Sequence, residues 1–162
     1  MLTAMCIAAA NYIIERTNEF NKRTDYNRRV SLTCKRLQKI LYFSEIQYMK
    51  QNGGKAMFSD DFYAWPSGPV IPSVYYQFMK YQNGEMYPKE DPSCITDSMR
   101  SAMDYVLDST WGRDTVDLVN DSHITGGPWS RAYDDADPDH KQIISKQKIY
   151  SFYKNKNNLF VT

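Results

Sequence analysis

Residues 62–78 read Phe62-Tyr63-Ala64-Trp65-Pro66-Ser67-Gly68-Pro69-Val70-Ile71-Pro72-Ser73-Val74-Tyr75-Tyr76-Gln77-Phe78. Pro66 and Pro69 fix φ and remove backbone donors, Gly68 between them opens angles closed to other residues, and Trp65 carries a large apolar ring. The stretch predicts a shaped turn pinned by one buried indole, with Trp65 plugging the fold and Gly68-Pro69 turning the chain sharply. Its second half changes period. Pro72 suits a first helical turn, and Val74, Tyr75, Phe78 and Met79 recur at helical spacing, so the turn feeds a helix.

Upstream, Thr3 to Arg16 carries Met5, Ala8, Ala9, Tyr12 and Ile13 as an alanine-rich apolar stripe, which predicts a first helix. Asn18 to Arg29 is polar without periodicity and predicts a mobile or frayed connection. Ser31 or Thr33 can cap a second helix whose Leu37, Ile40, Leu41, Ser44 and Tyr48 share a face; Asn52-Gly53-Gly54 stops it. This is the expected central helix. Ala56-Met57-Phe58 and Phe62-Tyr63-Ala64 predict two short extended segments or a small hairpin over residues 56–64.

Downstream, the third helix is expected from Pro72 to about Tyr81, ending at Asn83-Gly84, with a proline-broken loop from Met86 to Ser93. Thr96 opens a fourth helix with Met99, Met103, Val106 and Leu107 facing the core, closed by Trp111-Gly112. Asp114 can cap a shorter helix through Val116, Leu118 and Val119 that delivers His123 into a loop. Trp129, Ala132 and Tyr133 suit one further turn. Asp134 to Asp139 is too acidic to bury, and Ser145 precedes a last amphipathic segment with Ile149, Phe152 and Tyr153 facing inward. The fold class is mainly α: a compact single-domain bundle of about five to seven helices spanning residues 1–162.

A chain of 162 residues with 42% apolar and 14% aromatic content can bury one real core but not two. No apolar stretch approaches the ~20 residues that span a bilayer, and the Leu2–Ala10 start has no basic leader, so a cytoplasmic location is expected. Cys6, Cys34 and Cys94 are odd in number and far apart, which argues against a disulfide framework and a structural zinc site. Net charge is +1, yet its distribution is uneven. Arg16 to Lys39 is basic, Glu85 to Asp139 acidic, and Lys141 to Lys156 basic again. Such asymmetry can steer a charged partner, although solvated helix faces produce the same pattern.

Four runs in order carry a family resemblance. Leu37-Gln38-Lys39-Ile40-Leu41-Tyr42-Phe43, the block holding Trp65, Gly68, Pro69, Val70, Tyr75 and Phe78, the segment Leu118…His123…Pro128-Trp129, and Ile149…Phe152-Tyr153 together resemble the Panacea antitoxin domain of SocA-like and phage-associated GepA-like proteins. Ser122 stands where that family usually has threonine, and Gly126-Gly127 fills a spacer that is usually acidic or polar. The resemblance implies a helical, non-enzymatic protein that neutralises a toxin encoded beside it by direct contact. It also admits an adaptor that hands the toxin to a cytoplasmic protease. The matched residues, Leu37, Lys39, Leu41 and Tyr42 among them, are then structural or partner-binding. Neither a cofactor nor a metal is implied.

His123 and His140 are the two side chains that titrate near neutral pH. A general base at His123 would need an orienting carboxylate, which Asp121 or Asp117 could supply, and this defines a hydrolase reading beside the structural one. Gly53-Gly54 and Gly126-Gly127 lack the Lys-Ser/Thr of a phosphate loop and read as turns. Thirteen tyrosines suit either core edges or an interface with an aromatic centre and a charged rim of about 1,200–2,000 Å². The alternative function is a DNA-binding regulator of its own operon or of prophage genes, with Arg28, Arg29 and Arg36 of the basic 16–39 section on phosphates, although no helix-turn-helix pattern stands out.

Overall fold

The structure, a computed structural model, describes residues 4–79 and 94–161. Its elements are α1 (Met5–Lys22), α2 (Cys34–Gln51), β1 (Phe62–Trp65), β2 (Gly68–Val70), α3 (Pro72–Phe78), α4 (Asp97–Thr110), α5 (Thr115–Ser122), α6 (Pro128–Ala132), β3 (Ile143–Ile144) and α7 (Lys146–Tyr153). The three strands form one antiparallel sheet in the order β2-β1-β3, with Trp65 opposite Gly68 and Phe62 opposite Ile144. The mainly α fold with a small sheet is as the sequence predicts.

α2 is the axis of the fold, packed by α1, α3, α4, α5, α7 and β2. Thr33 caps it, its Oγ1 accepting from the Arg36 N–H at 3.2 Å, and Gly53 and Gly54 end it with φ of 62° and 91°. A helix surrounded on all sides cannot be strictly amphipathic. Beside Leu37, Ile40, Leu41, Tyr42 and Phe43 it therefore buries Arg36, Gln38, Lys39, Ser44 and Glu45, each polar group held against backbone or an opposite charge where the structure shows its partner. The Arg36 guanidinium donates to the Thr110 and Arg113 carbonyls at 2.7 and 2.8 Å, which ties the end of α4 to the start of α5. The Glu45 carboxylate accepts from Lys146 Nζ at 2.9 Å and the Met57 N–H at 2.6 Å, joining α2 to α7.

Several expectations are corrected. α1 runs through Lys22 rather than ending near Arg16, because Phe20 stacks on Trp111 at 4.2 Å and gives residues 18–22 a tertiary partner that polarity alone does not reveal. A 3-10 turn at Tyr26–Arg28 follows. The hairpin joins Phe62–Trp65 to Gly68–Val70 across Pro66-Ser67, so it lies later than residues 56–64, and Ala56–Phe58 forms no strand. Asp114 holds the N-cap position of α5 without a side-chain cap bond, and Val116 on that helix is 67% exposed. The expected helix end at Asn83-Gly84 and the loop from Met86 to Ser93 lie outside the described residues. Among those residues, no helix is long and apolar enough to cross a membrane.

Candidate partner-binding site

The β1–β2 hairpin is fastened to α2 by side chains that substitute for a further strand. Gln38 Nε2 donates to the Ile71 carbonyl at 3.1 Å while its Oε1 accepts from the Ile71 N–H at 2.9 Å. One turn of chain earlier, Lys39 Nζ donates to the Pro69 carbonyl at 3.1 Å. Gly68 makes this approach possible: its φ is +119°, and a Cβ there would stand 2.6 Å from Lys39 Cε and 2.9 Å from Ser122 Oγ. Lys39 is fully buried, and burial, with the Lys35 charge as a second cause, pushes its amine down to about 7.

From the other side, α5 and α6 hold the hairpin through an aromatic column. The His123 ring stacks on Trp129 at 3.7 Å with the planes 4° apart. Trp129 stacks in turn on Tyr133 at 4.6 Å, and Tyr133 on His140 at 5.9 Å. Trp129 Nε1 donates to the Trp65 carbonyl at 2.8 Å, closing the end of β1. Burial lowers the His123 pKa, the Lys39 charge lowers it further, and a hydrogen bond with the Ser67 backbone opposes both. Asp121, offered by the sequence as an orienting acid, is buried and accepts from the Val161 N–H at 3.0 Å. The stack fastens the hairpin to α5 and α6.

Of the residues singled out in the sequence, Leu37, Leu41, Tyr42 and Phe78 are core, and Lys39, Gly68, Pro69, Val70 and Pro128 are buried where the hairpin meets its clamps. Trp65, Tyr75, His123 and Trp129 are half-buried. Trp65 does not plug the bundle. Phe62 and Ala64 point inward, and the strand alternation turns Trp65 outward, where it meets Tyr75 edge-on at 5.1 Å. Together they wall a recess of about 740 Å³ between the first turn of α2, the hairpin and α5. Val70, Val116 and Val119 add apolar wall, Ser31, Thr33, Ser67 and Thr115 add hydroxyls, and the exposed Lys35 and buried Lys39 also line it. Tyr76, 66% exposed, extends this apolar surface by an edge-on contact with Tyr75 at 5.4 Å.

The runs at residues 37–43, 62–78 and 118–129 therefore fold into one unit: a helix, a hairpin clamped to it and a stacked histidine–tryptophan pair. A family model described as antitoxin SocA-like, Panacea domain, matches residues 37–130, more than half of the chain. The chain belongs to this antitoxin family. No curated protein and no solved structure matches it. The matched span of the Panacea domain begins at α2 and ends within α6, so it encloses the hairpin and both of its clamps. Membership implies an antitoxin role and, in general terms, a toxin as partner.

Sequence reasoning missed Gln38, Ser122, Lys35 and Val116 as members of this site. Gln38 was legible only as part of a motif, because an amide that pairs with a backbone 33 residues away leaves no local signal. Lys35 and Val116 come from different helices and meet only in the recess. Among the described residues no group of three or more His, Cys, Asp or Glu side chains is placed to hold a metal ion.

Proposed function

We propose that this protein is a non-enzymatic cytoplasmic antitoxin that neutralises one cognate toxin by binding it directly. The observation that carries the reading is the coincidence of the matched Panacea span with the clamped hairpin, which presents Trp65, Tyr75 and Tyr76 on a rigid mount. Aromatic side chains on a scaffold that does not rearrange supply contact area at low entropic cost. Steric occlusion of the toxin is the simplest mechanism, over an interface of about 1,200–2,000 Å².

The test is growth of cells expressing the adjacent gene with and without this protein, followed by co-purification. Rescue with a stable complex supports direct neutralisation. Rescue with falling toxin levels favours delivery to a protease. Absence of both toxicity and complex refutes the antitoxin reading.

The DNA-binding alternative is weakened by the burial of Arg36, which is spent on the α4 and α5 backbone, and of Lys39 beneath the hairpin. Arg16 is paired with Glu19 and Asp104 at 3.0 and 3.3 Å. Lys22, Arg23, Arg28, Arg29 and Lys35 remain exposed, so a phosphate footprint persists there, smaller than the sequence suggests.

A further inference from the structure

We infer that the recess between the first turn of α2, the hairpin and α5 is the socket for an acidic segment of the toxin, one that inserts an apolar side chain beside a carboxylate. This rests on the antitoxin reading and names the chemistry of the partner. At about 740 Å³ the recess is within the size range of ligand sites and far larger than packing defects. Its apolar walls, Trp65, Tyr75, Val116 and Val119, suit an aliphatic or aromatic anchor.

The charge of the occupant follows from the lining. Among the described residues Lys35 and Lys39 are the basic residues that line the recess, and no carboxylate lines it. Among the described residues Lys39 has no ion pair, and its amine donates to the Pro69 carbonyl. Lys39 is closed off from water and burial disfavours its charged form, so the exposed Lys35 is the cation that a carboxylate can reach. The start of an 18-residue helix at Cys34 and Lys35 adds the positive end of the α2 dipole in the same direction. Lys35 and the helix end both favour an anion and disfavour a cation.

The surroundings favour a protein segment over a small acid. Val116 lines the recess and Tyr76 lies beside it against Tyr75, each about two-thirds exposed, and a ligand confined to the recess would leave their outer surfaces wet. A folded partner that drops one acidic segment into the recess covers them as well.

The experiment measures binding of the toxin encoded by the adjacent gene to the full chain, to Lys35→Glu, to Val116→Arg and, as a control on the α7 face, to Lys148→Glu. Circular dichroism checks each fold; all three positions are exposed. Weakening of at least about tenfold for Lys35→Glu and Val116→Arg, with the control within about twofold of wild type, is expected. Lys35→Glu should also flatten the salt dependence of the dissociation constant. A wild-type complex that both recess variants leave within about twofold overturns the socket and spares the antitoxin reading. No wild-type complex overturns both. A small acid retained by the protein purified alone, seen in native mass spectra and lost in variants that still bind the toxin, also overturns the socket.

Discussion

Gln38 and Ile71 exchange two hydrogen bonds, amide nitrogen to carbonyl at 3.1 Å and amide oxygen from N–H at 2.9 Å, both buried. A glutamine side chain thereby satisfies the last peptide group of the hairpin before α3 begins, which a neighbouring strand would otherwise have to do. Replacing it by an isosteric apolar residue strands the buried Ile71 N–H, while the Ile71 carbonyl keeps the Tyr75 N–H at 3.0 Å. Gln38→Leu is expected to cost about 1–3 kcal/mol in urea unfolding. A loss below about 1 kcal/mol would show that the hairpin is held elsewhere.

Lys39 adds a pH signature of the same junction. Burial pushes its folded-state pKa down to about 7, below the ordinary lysine value of 10.5. Between these values the unfolded chain carries a proton that the folded chain lacks, so stability rises with pH across that window. Below about 7 both states are protonated, and folding bears the whole cost of burying the charge. Lys39→Met removes this term. Relative to wild type, its stability should fall by about 2 kcal/mol between about pH 7 and pH 9. A difference that stays flat over that range would mean that Lys39 keeps an ordinary pKa.

Gly68 is where both costs of a side chain coincide, since a φ of +119° is unfavourable for L residues and Lys39 and Ser122 occupy the space. Gly68→Ala should destabilise by about 2–4 kcal/mol, and adding Lys39→Ala should recover only part of this, because the backbone strain remains. Full recovery in the double variant would assign the whole effect to the steric clash. Thermal unfolding of the four proteins in the cycle decides it.

Glu45 and Lys146 hold α7 against α2 at 2.9 Å, with the carboxylate fully buried. Burial raises the Glu45 pKa despite the opposing Lys146 charge and the Met57 and Phe58 N–H groups. The desolvation cost of the carboxylate therefore exceeds what its partners return, and removing one member should be worse than removing both. Lys146→Met is expected to cost about 3–5 kcal/mol, and Glu45→Met with Lys146→Met less than the single change. Denaturation midpoints in which the double variant is the less stable would contradict this.

Local rules marked most of the helices. Thr33, Thr96 and Ser145 cap α2, α4 and α7 through their side-chain oxygens, and the stripe Met99, Met103, Val106 and Leu107 is buried. Where local rules failed, a distant partner had decided the outcome. Residues 18–22 are helical because Phe20 found Trp111, and the hairpin moved because β1 pairs forward with Gly68–Val70 and also with Ile143–Ile144, a two-residue strand with too little pattern to announce itself. Trp65 was misread for a related reason. The size of an indole says that it must be covered, but the strand period decides which side covers it.

The sequence by itself determined the helical class, the central place of α2, the turn before Pro72 and the family, because capping, apolar period and backbone-restricted residues act within a few positions of the chain. Only the tertiary structure decided that Lys39 is buried with no counter-ion among the described residues, that Arg36 is withdrawn from the basic surface, and that Lys35, Trp65, Tyr75 and Val116 share one recess. Burial and charge pairing depend on which segments meet, and those meetings span about 30 residues or more of chain, beyond the reach of any local preference.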